Sequence, residues 1–211
     1  MTELVQTHLA APHGGRILDP CAGEGEALVA FAEELGLDPY GVELHEGRAA
    51  AVRLALTRLL ESRSGASEHG TRILHDSYLN LVTSRSGYNF LYLNPPYDHD
   101  DEDGRLEYQW LVRCRPWLQS GGLLVWVVPQ HLLKFRKATR YILSWYDRVQ
   151  VFRFPDGLYD RFRQIVLFGV HRPKAVVPDG EMVDRLAQMA ASKEDLLPLM
   201  AAPAPAYTLP P

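Results

Sequence analysis

Hydrophobic residues along this chain follow two spacings, one typical of buried strands and one typical of amphipathic helices. Short apolar runs predict five strands, at residues 16–19, 40–43, 72–74, 89–93 and 122–128. Apolar residues at helical spacing predict five helices, at residues 3–9, 26–35, 46–60, 107–118 and 132–146. Strands that alternate with helices in this way indicate an α/β protein built on a parallel sheet.

Two further apolar runs, at 149–154 and 164–170, follow the last predicted helix, and residues 155–163 join them. The short connection suggests that these two strands pair antiparallel at the end of an otherwise parallel sheet. We therefore expect a doubly wound, mostly parallel, Rossmann-like sheet of about seven strands with an antiparallel C-terminal strand. In such sheets, ligands bind beside the carboxyl ends of the strands.

The composition changes near residue 173, which divides the chain into a predicted domain at 1–172 and a tail at 173–211. The tail is rich in proline and alanine and carries the pattern of one short helix at 181–191. We expect the tail to lie on the surface or to be partly disordered, with residues 196–200 able to dock on a partner.

Composition and charge exclude few functions. The formal net charge is −4, so any surface for nucleic acid would be local rather than global. The two cysteines, Cys21 and Cys114, are too few and too scattered to predict a disulfide framework or a zinc site. No secretory signal or membrane-spanning apolar run is visible in the sequence, and we expect a cytoplasmic protein.

The loop after the first predicted strand reads Pro20-Cys21-Ala22-Gly23-Glu24-Gly25 and precedes a helix. A dinucleotide-binding fingerprint would need a third glycine where this sequence has Leu28. Glu24 and Glu26 would also repel a pyrophosphate at the N-terminus of that helix. These residues disfavour phosphate ligands and favour S-adenosylmethionine, which has no phosphate and carries a positive sulfonium.

Acidic residues at the ends of three predicted strands suit the other parts of that cofactor. Asp19 would lie near its ammonium group, Glu43 would bind the ribose hydroxyls, and Asp76 would receive the adenine amino group. Gly23 and Gly25 would allow the backbone to approach the ligand closely. The alternative interpretation is a tight turn with a capped helix, and an unrelated surface acid at Glu43.

The fourth predicted strand ends in Asn94-Pro95-Pro96-Tyr97. Two consecutive prolines fix the backbone in one shape and leave the carbonyl of Pro95 outside any strand pairing. The Asn94 side-chain oxygen is a second acceptor, and the Tyr97 ring is a flat stacking surface. Two acceptors and a stacking surface suit a planar group that bears an NH2, whereas a rigid turn that closes a strand is the alternative.

Together these segments resemble the class I S-adenosylmethionine-dependent methyltransferases, and within them the gamma-type N6-adenine-specific DNA methyltransferases. Residues 19–25 look like the first motif of that family, Glu43 the second, Asp76 the third and residues 94–97 the catalytic fourth. The resemblance covers residues 16–171. The fourth motif is shared by enzymes that methylate DNA, RNA or protein glutamine.

The resemblance implies methyl transfer to the exocyclic N6 of adenine in nucleic acid, with DNA preferred over RNA and no metal ion. Its catalytic residues would be Asn94, Pro95, Pro96 and Tyr97. Its S-adenosylmethionine site would comprise Asp19, Pro20, Ala22, Gly23, Gly25, Glu43, Leu44, Asp76, Ser77 and Asn94. Glutamine methylation on a protein and a non-catalytic binding subunit of a larger complex are the alternatives.

For the substrate, the resemblance implies an aromatic residue within 155–163 that closes on the base, either Phe162 or Tyr159, with core packing as the alternative for both. Residues 131–163 carry eight basic and three acidic side chains interleaved with aromatic ones, which suits a nucleic-acid backbone. The substrate-binding residues predicted there are Lys134, Arg136 and Lys137. A solvated helix face is the alternative interpretation.

Two features depart from the family pattern: only about fifteen residues precede the first predicted strand, and we expect no independent target-recognition domain after the catalytic fold, since the tail from 173 is short, Pro-rich and acidic. Residues 98–107 carry six acidic side chains and one arginine, which suggests a lid, a loop that faces away from phosphate, or a metal site with His99. Residues 1–15 precede the first strand, so Thr7 and Pro12 would stand in for an aromatic-Thr-Pro segment. A protein partner is therefore expected to complete the cofactor site or to supply target recognition.

Overall fold

The computed structural model describes residues 1–64, 72–97, 99–100 and 104–211 of the chain. Its helices are α1 (Thr2–Gln6), α2 (Glu26–Leu35), α3 (Glu46–Ser64), α4 (Leu106–Cys114), α5 (Arg136–Trp145), α6 (Leu158–Phe162) and α7 (Gly180–Gln188). Its strands are β1 (Leu9–Ala10), β2 (Arg16–Asp19), β3 (Asp38–Glu43), β4 (Ile73–His75), β5 (Tyr88–Leu93), β6 (His99–Asp100), β7 (Gly104–Arg105), β8 (Leu118–Pro129), β9 (Tyr146–Arg153), β10 (Gln164–His171) and β11 (Tyr207–Thr208). None of the helices in these ranges has the length and apolar character needed to cross a membrane.

Seven strands form one sheet in the order β4-β3-β2-β5-β8-β10-β9. Strands β4, β3, β2, β5 and β8 pair in parallel. Strand β10 lies antiparallel between β8 and β9. The sheet confirms the predicted fold class, a doubly wound and mostly parallel arrangement with an antiparallel strand near its C-terminal end.

The sheet is buried on both faces, because neighbouring residues of its central strand point into different cores. Phe90 and Tyr92 of β5 pack with side chains of α2 and α3 in one core. Leu91 and Leu93 pack with side chains of α4, α5 and α7 in the other. Side chains alternate across a strand, so a strand covered on both faces is apolar along its whole length.

Four predicted helices are shorter in the structure than the sequence pattern suggested, and those expected at 3–9 and 181–191 end at Gln6 and Gln188. The helix expected at 107–118 ends at Cys114, because a 3₁₀ helix at Arg115–Trp117 with a proline follows and β8 begins at Leu118. The helix expected at 132–146 is divided at Phe135, whose φ of −78° and ψ of 92° separate the 3₁₀ helix Gln130–Lys134 from α5. The connection at 155–163 contains α6.

The C-terminal segment is packed into the protein. Tyr207 is 2% exposed and stacks on Phe168 of β10, with ring centroids 5.4 Å apart and an interplanar angle of 7°. Strand β11 pairs in parallel with β1, and Asn89 Nδ2 donates to the Pro210 carbonyl over 2.8 Å. The expectation of a surface or partly disordered tail is wrong, because a few apolar residues among the prolines are buried. They are Leu196, Leu199, Tyr207 and Leu209.

The strand order brings four predicted site residues to one edge of the sheet. Asp19 and Glu43 are the last residues of β2 and β3, and Asp76 and Asn94 directly follow β4 and β5. Since these four strands are neighbours and run in parallel, their carboxyl ends meet at the same edge. The fold therefore assembles one site from residues far apart in the sequence.

Replacing Tyr207 by alanine is expected to lower the free energy of unfolding by about 3–5 kcal/mol, since the change removes a buried aromatic ring. Leu197→Ala, in a side chain that is 74% exposed, should change it by less than about 0.5 kcal/mol. Urea unfolding followed by circular dichroism measures both values. A Tyr207→Ala variant as stable as the wild type would contradict the packing of the C-terminal segment on the sheet.

Candidate functional site

Two adjoining cavities, of about 390 and 380 Å³, open at the carboxyl edge of the sheet and share Cys21, Gly23 and Asn94. We call the two together the cleft. Every residue predicted to hold the cofactor lines it. The first cavity is lined among others by Asp19, Ala22, Gly23, Gly25 and Asn94, and the second by Pro20, Gly23, Glu43, Leu44, Asp76, Ser77 and Asn94.

The loop at residues 20–25, which we call the glycine loop, has its shape fixed by packing. Gly25 has a φ of +88°, and a Cβ placed there would lie 2.3 Å from Val52 Cγ2 of α3. Only glycine fits that position. Gly23 has a φ of +57° with nothing within 4 Å of a built Cβ, so its backbone lies open to the cleft.

Glu43 holds the glycine loop against the end of β3. Its Oε2 accepts from Gly23 N over 2.8 Å, while Oε1 accepts from His45 N over 2.8 Å and from Arg48 Nη2 over 2.7 Å. Burial alone would raise the pKa of Glu43, but the bonds from His45, Arg48 and Gly23 lower it below its ordinary value. Glu43 is therefore a carboxylate at neutral pH, and the Arg48 contact was not predicted from the sequence.

Asp19 lies deeper in the cleft, 2% exposed, with its Oδ1 accepting from Cys21 N over 3.0 Å. Burial raises the pKa of Asp19 to about 7, and the nearby charge of Glu43 acts in the same direction. Burial raises the pKa of both acids, but the net shifts are opposite, because Glu43 has an arginine partner and Asp19 has a backbone N–H.

The second cavity ends in an apolar and aromatic wall beside Asp76. The carboxylate of Asp76 accepts from Asn80 Nδ2 over 2.9 Å and from Ser77 N over 2.6 Å, and these bonds lower its pKa. Leu44 is 69% exposed at the rim. Tyr78 and Trp110 line the same cavity with their rings stacked, 3.5 Å between centroids and 17° between planes.

Sequence reasoning missed Tyr78 and Trp110. Tyr78 carried a usable signal, because it follows Asp76 by two residues in the same predicted loop. Trp110 carried none, because α4 is distant in sequence from the other residues of the cleft.

The motif Asn94-Pro95-Pro96-Tyr97 closes the cleft where both cavities meet at Asn94. Pro95 is buried, while the other three residues are exposed. The Tyr97 hydroxyl donates to Asn94 Oδ1 over 2.7 Å and accepts from Gln164 Nε2 over 2.8 Å. Burial raises the pKa of Tyr97 well above its ordinary value. Gln164 is a further residue of the site that the sequence did not indicate.

The two aromatic residues predicted to close on a substrate differ in exposure. Phe162 of α6 is 46% exposed. Tyr159 is 7% exposed in the core, and its hydroxyl donates to Gln130 Oε1. The expectation that Tyr159 offers its ring to a substrate is therefore wrong, and the core-packing alternative is correct for this residue.

The predicted basic residues lie on the 3₁₀ helix before α5 and on the first turn of α5. Lys134, Arg136 and Lys137 are all exposed. Arg136 pairs with Asp184 of α7 over 2.6 Å, and Lys137 Nζ lies 5.4 Å from the ring centroid of Tyr108. Residues 98 and 101–103 of the acidic segment at 98–107 lie outside the described residues, so the lid and the metal site with His99 stay predictions.

Asp19→Asn is expected to raise the free energy of unfolding at pH 8 by up to about 4 kcal/mol, because a buried carboxylate is removed while an acceptor for Cys21 N remains. The sign follows from the raised pKa. The folded protein keeps the Asp19 proton to about pH 7, so the wild type loses stability as pH rises from about 4 to 7.

The increase in the free energy of unfolding caused by Asp19→Asn should therefore shrink towards zero near pH 4. Urea unfolding at pH 4.5, 6 and 8 measures it, with Glu24→Gln in the exposed part of the same loop as the matched control. A difference between Asp19→Asn and wild type that stays constant with pH would contradict the burial of an ionisable Asp19.

Solved structures with a similar fold include several methyltransferases. A putative class I S-adenosylmethionine-dependent methyltransferase from Listeria monocytogenes has a TM-score of 0.63 at 15% identity, over 85% of this chain and 60% of its own. The Type I restriction enzyme EcoKI M protein has a TM-score of 0.60 at 19% identity, over 83% of this chain and 45% of its own. A geranyl diphosphate methyltransferase in complex with GPP and sinefungin has a TM-score of 0.54 at 16% identity, over 81% of this chain and 77% of its own.

This chain spans less than two thirds of the length of the first two structures, and at these identities the likeness is one of fold. No curated protein sequence matches it. Residues 6–210 match the family described as an uncharacterised methyltransferase family, DUF6094, and that range includes both the cleft and the C-terminal segment. Because the match extends over most of the chain, the protein belongs to this methyltransferase family.

Proposed function

We propose that the protein transfers a methyl group from S-adenosylmethionine to the exocyclic N6 of adenine in nucleic acid, with DNA preferred over RNA. One observation carries the proposal: Asn94 lines both cavities of the cleft, so the amino-holding motif lies where the two predicted halves of the cofactor site meet. The family supports methyl transfer as the reaction. The choice of the adenine amino group as the substrate is based on residues 94–97.

The residues of the cleft fit S-adenosylmethionine. Glu24 and Glu26 at the start of α2 disfavour a phosphate ligand, while the buried carboxyl of Asp19 suits an ammonium group. A cation placed beside Asp19 would favour its ionised form and lower the pKa from about 7. The exposed side chain of Leu44 offers an apolar surface to an adenine ring.

Glu43 would bind the ribose hydroxyls at the end of β3. Its Oε1 already accepts from His45 N and two nitrogens of Arg48, whereas Oε2 accepts from Gly23 N and has a second lone pair for a ribose hydroxyl. The Arg48 side chain is 51% exposed. It is the partner that a second ribose hydroxyl at Oε1 would displace, since the backbone donors are fixed.

Catalysis in this proposal depends on position and electrostatics. Asn94 Oδ1 and the Pro95 carbonyl accept the two amino hydrogens, which lets the nitrogen pyramidalise and direct its lone pair towards the methyl group. The cofactor supplies that methyl: the nitrogen–carbon bond forms, the sulfur–carbon bond breaks with its electron pair left on sulfur, and a proton goes to solvent. The base would be flipped from a duplex and stacked on Tyr97, with Phe162 on its other face.

The first test is transfer of labelled methyl to an adenine-containing DNA oligonucleotide. Asn94→Ala is expected to reduce the rate by about 10²–10³-fold, because one of the two acceptors is lost. Asn94→Asp keeps an acceptor oxygen of the same reach and should retain more activity than Asn94→Ala. Circular dichroism of each variant serves as the folding control.

Equal rates for Asn94→Ala and wild type would contradict the proposal. Offering DNA, RNA and a protein extract together identifies the polymer. Label in polypeptide would favour glutamine methylation, and failure of calorimetry to detect S-adenosylmethionine binding would favour a non-catalytic subunit. A DNA substrate labelled only when a second protein is present would identify the expected partner for target recognition.

The second test concerns the exposed lysines before and at the start of α5. Replacing both Lys134 and Lys137 by glutamate should weaken oligonucleotide binding by at least about tenfold at low salt, and reduce the slope of log K against log salt by about 2. Lys174→Glu, exposed in the segment between β10 and α7, is the matched control. Fluorescence anisotropy measures the affinities, and an unchanged slope in the double variant would exclude these lysines from the interface.

A further inference from the structure

A hydrogen-bonded chain of three side chains spans the end of strand β8. Gln164 Nε2 donates to the Tyr97 hydroxyl over 2.8 Å, and that hydroxyl donates to Asn94 Oδ1 over 2.7 Å. Asn94 and Tyr97 follow β5, whereas Gln164 begins β10, and β8 lies between these strands in the sheet. The contact therefore depends on tertiary structure and has no sequence signature.

The direction of this chain is fixed by what each group can do. The amide oxygen of Asn94 only accepts, and the amide nitrogen of Gln164 only donates. The Tyr97 hydroxyl has a single proton, which therefore points to Asn94, while its lone pair faces Gln164. The oxygen that would hold a substrate amino hydrogen therefore already accepts from the Tyr97 hydroxyl.

We propose that Tyr97 and Gln164 form a latch on Asn94: the Tyr97 hydroxyl covers the acceptor oxygen before a substrate binds, yields it to a substrate N–H, and reclaims it once the amino group is methylated. The inference rests on the proposed function, because it assigns Asn94 Oδ1 to an amino hydrogen. Gln164 is a positioning residue in it, since it acts only through the Tyr97 hydroxyl.

The structure supplies a second acceptor for the displaced proton. The Val127 carbonyl of β8 lies 3.4 Å from the Tyr97 hydroxyl, against 2.7 Å for Asn94 Oδ1. When a substrate takes the Asn94 oxygen, the hydroxyl can turn to Val127 while Gln164 still holds its lone pair. Opening the latch therefore leaves the Tyr97 hydroxyl with a hydrogen-bond acceptor.

The latch also favours release after a single transfer. An amino group has two hydrogens for two acceptors, Asn94 Oδ1 and the Pro95 carbonyl. The methylated nitrogen has one, because the other hydrogen is replaced by the methyl group and lost to solvent as a proton. The product can hold only one acceptor, so the Tyr97 hydroxyl competes with it more successfully than with the substrate.

The test is a double-mutant cycle on binding, without cofactor, to a single-stranded DNA oligonucleotide with one adenine. Gln164→Glu replaces the donor by an acceptor that draws the Tyr97 proton away from Asn94. It should tighten binding about fivefold, the value of one neutral hydrogen bond. In a Tyr97→Phe background the same substitution should give no tightening, since no hydroxyl remains to redirect.

An oligonucleotide with N6-methyladenine gives the second comparison. Wild type should bind the methylated oligonucleotide more weakly than the unmodified one. Gln164→Glu should tighten binding of the methylated oligonucleotide as well. Equal effects of Gln164→Glu in the two backgrounds, or no effect in either, would overturn the latch. The added negative charge is present in both backgrounds and cancels in the cycle.

Nuclear magnetic resonance of the empty protein separates the latch from the proposed function. The side-chain amide signals of Gln164 should shift on Tyr97→Phe, whereas those of Gln130, which bonds to Tyr159 and the carbonyl of Met189, should not. Unchanged Gln164 signals would show that the hydrogen bonds are absent. Shifted signals together with no adenine-dependent binding would overturn the proposed function, and with it the role of the latch.

Discussion

The bond that Gly23 N–H donates to Glu43 Oε2 holds the cleft together. It fixes the glycine loop, which follows β2, to the end of β3, and Gly23 lines both cavities. Val52 on one side of the loop leaves room only for a glycine at position 25. A buried carboxylate and a close van der Waals contact thus define the same short segment, and the positions of Asp19 and Asn94 relative to each other depend on it.

Asp19 and Glu43 show how the sheet gives two similar acids different properties. Both end neighbouring parallel strands and both are buried. Glu43 has a guanidinium and backbone donors directed at it, so it stays charged despite burial. Asp19 accepts from the backbone N–H of Cys21 instead, and burial dominates its pKa. Glu43 therefore gives one end of the cleft a permanent negative charge. At the other end, a cationic ligand would favour the ionised form of Asp19.

Much of the fold and the outline of the cleft could be predicted from the sequence. Apolar runs located the central strands because β5, β8 and β10 are covered on both faces, and parallel pairing placed Asp19, Glu43, Asp76 and Asn94 at one edge. Contacts between distant elements could not be predicted in this way, among them Arg48 on Glu43, Trp110 on Tyr78 and Gln164 on Tyr97. The packing of the C-terminal segment was not predicted, because its high proline content suggested a surface tail, whereas a few of its apolar residues are buried.

The pairing of β1 with β11 joins Leu9 to Tyr207, almost the full length of the chain apart. Closing so long a loop carries a large entropic cost before any contact compensates it, so such a contact forms late in folding. During synthesis, the strands from β2 to β10 emerge before residue 207 does, and the sheet can assemble while the N-terminal residues still lack their partner. The pairing of β1 with β11 is therefore expected to be among the last contacts of the sheet region to form.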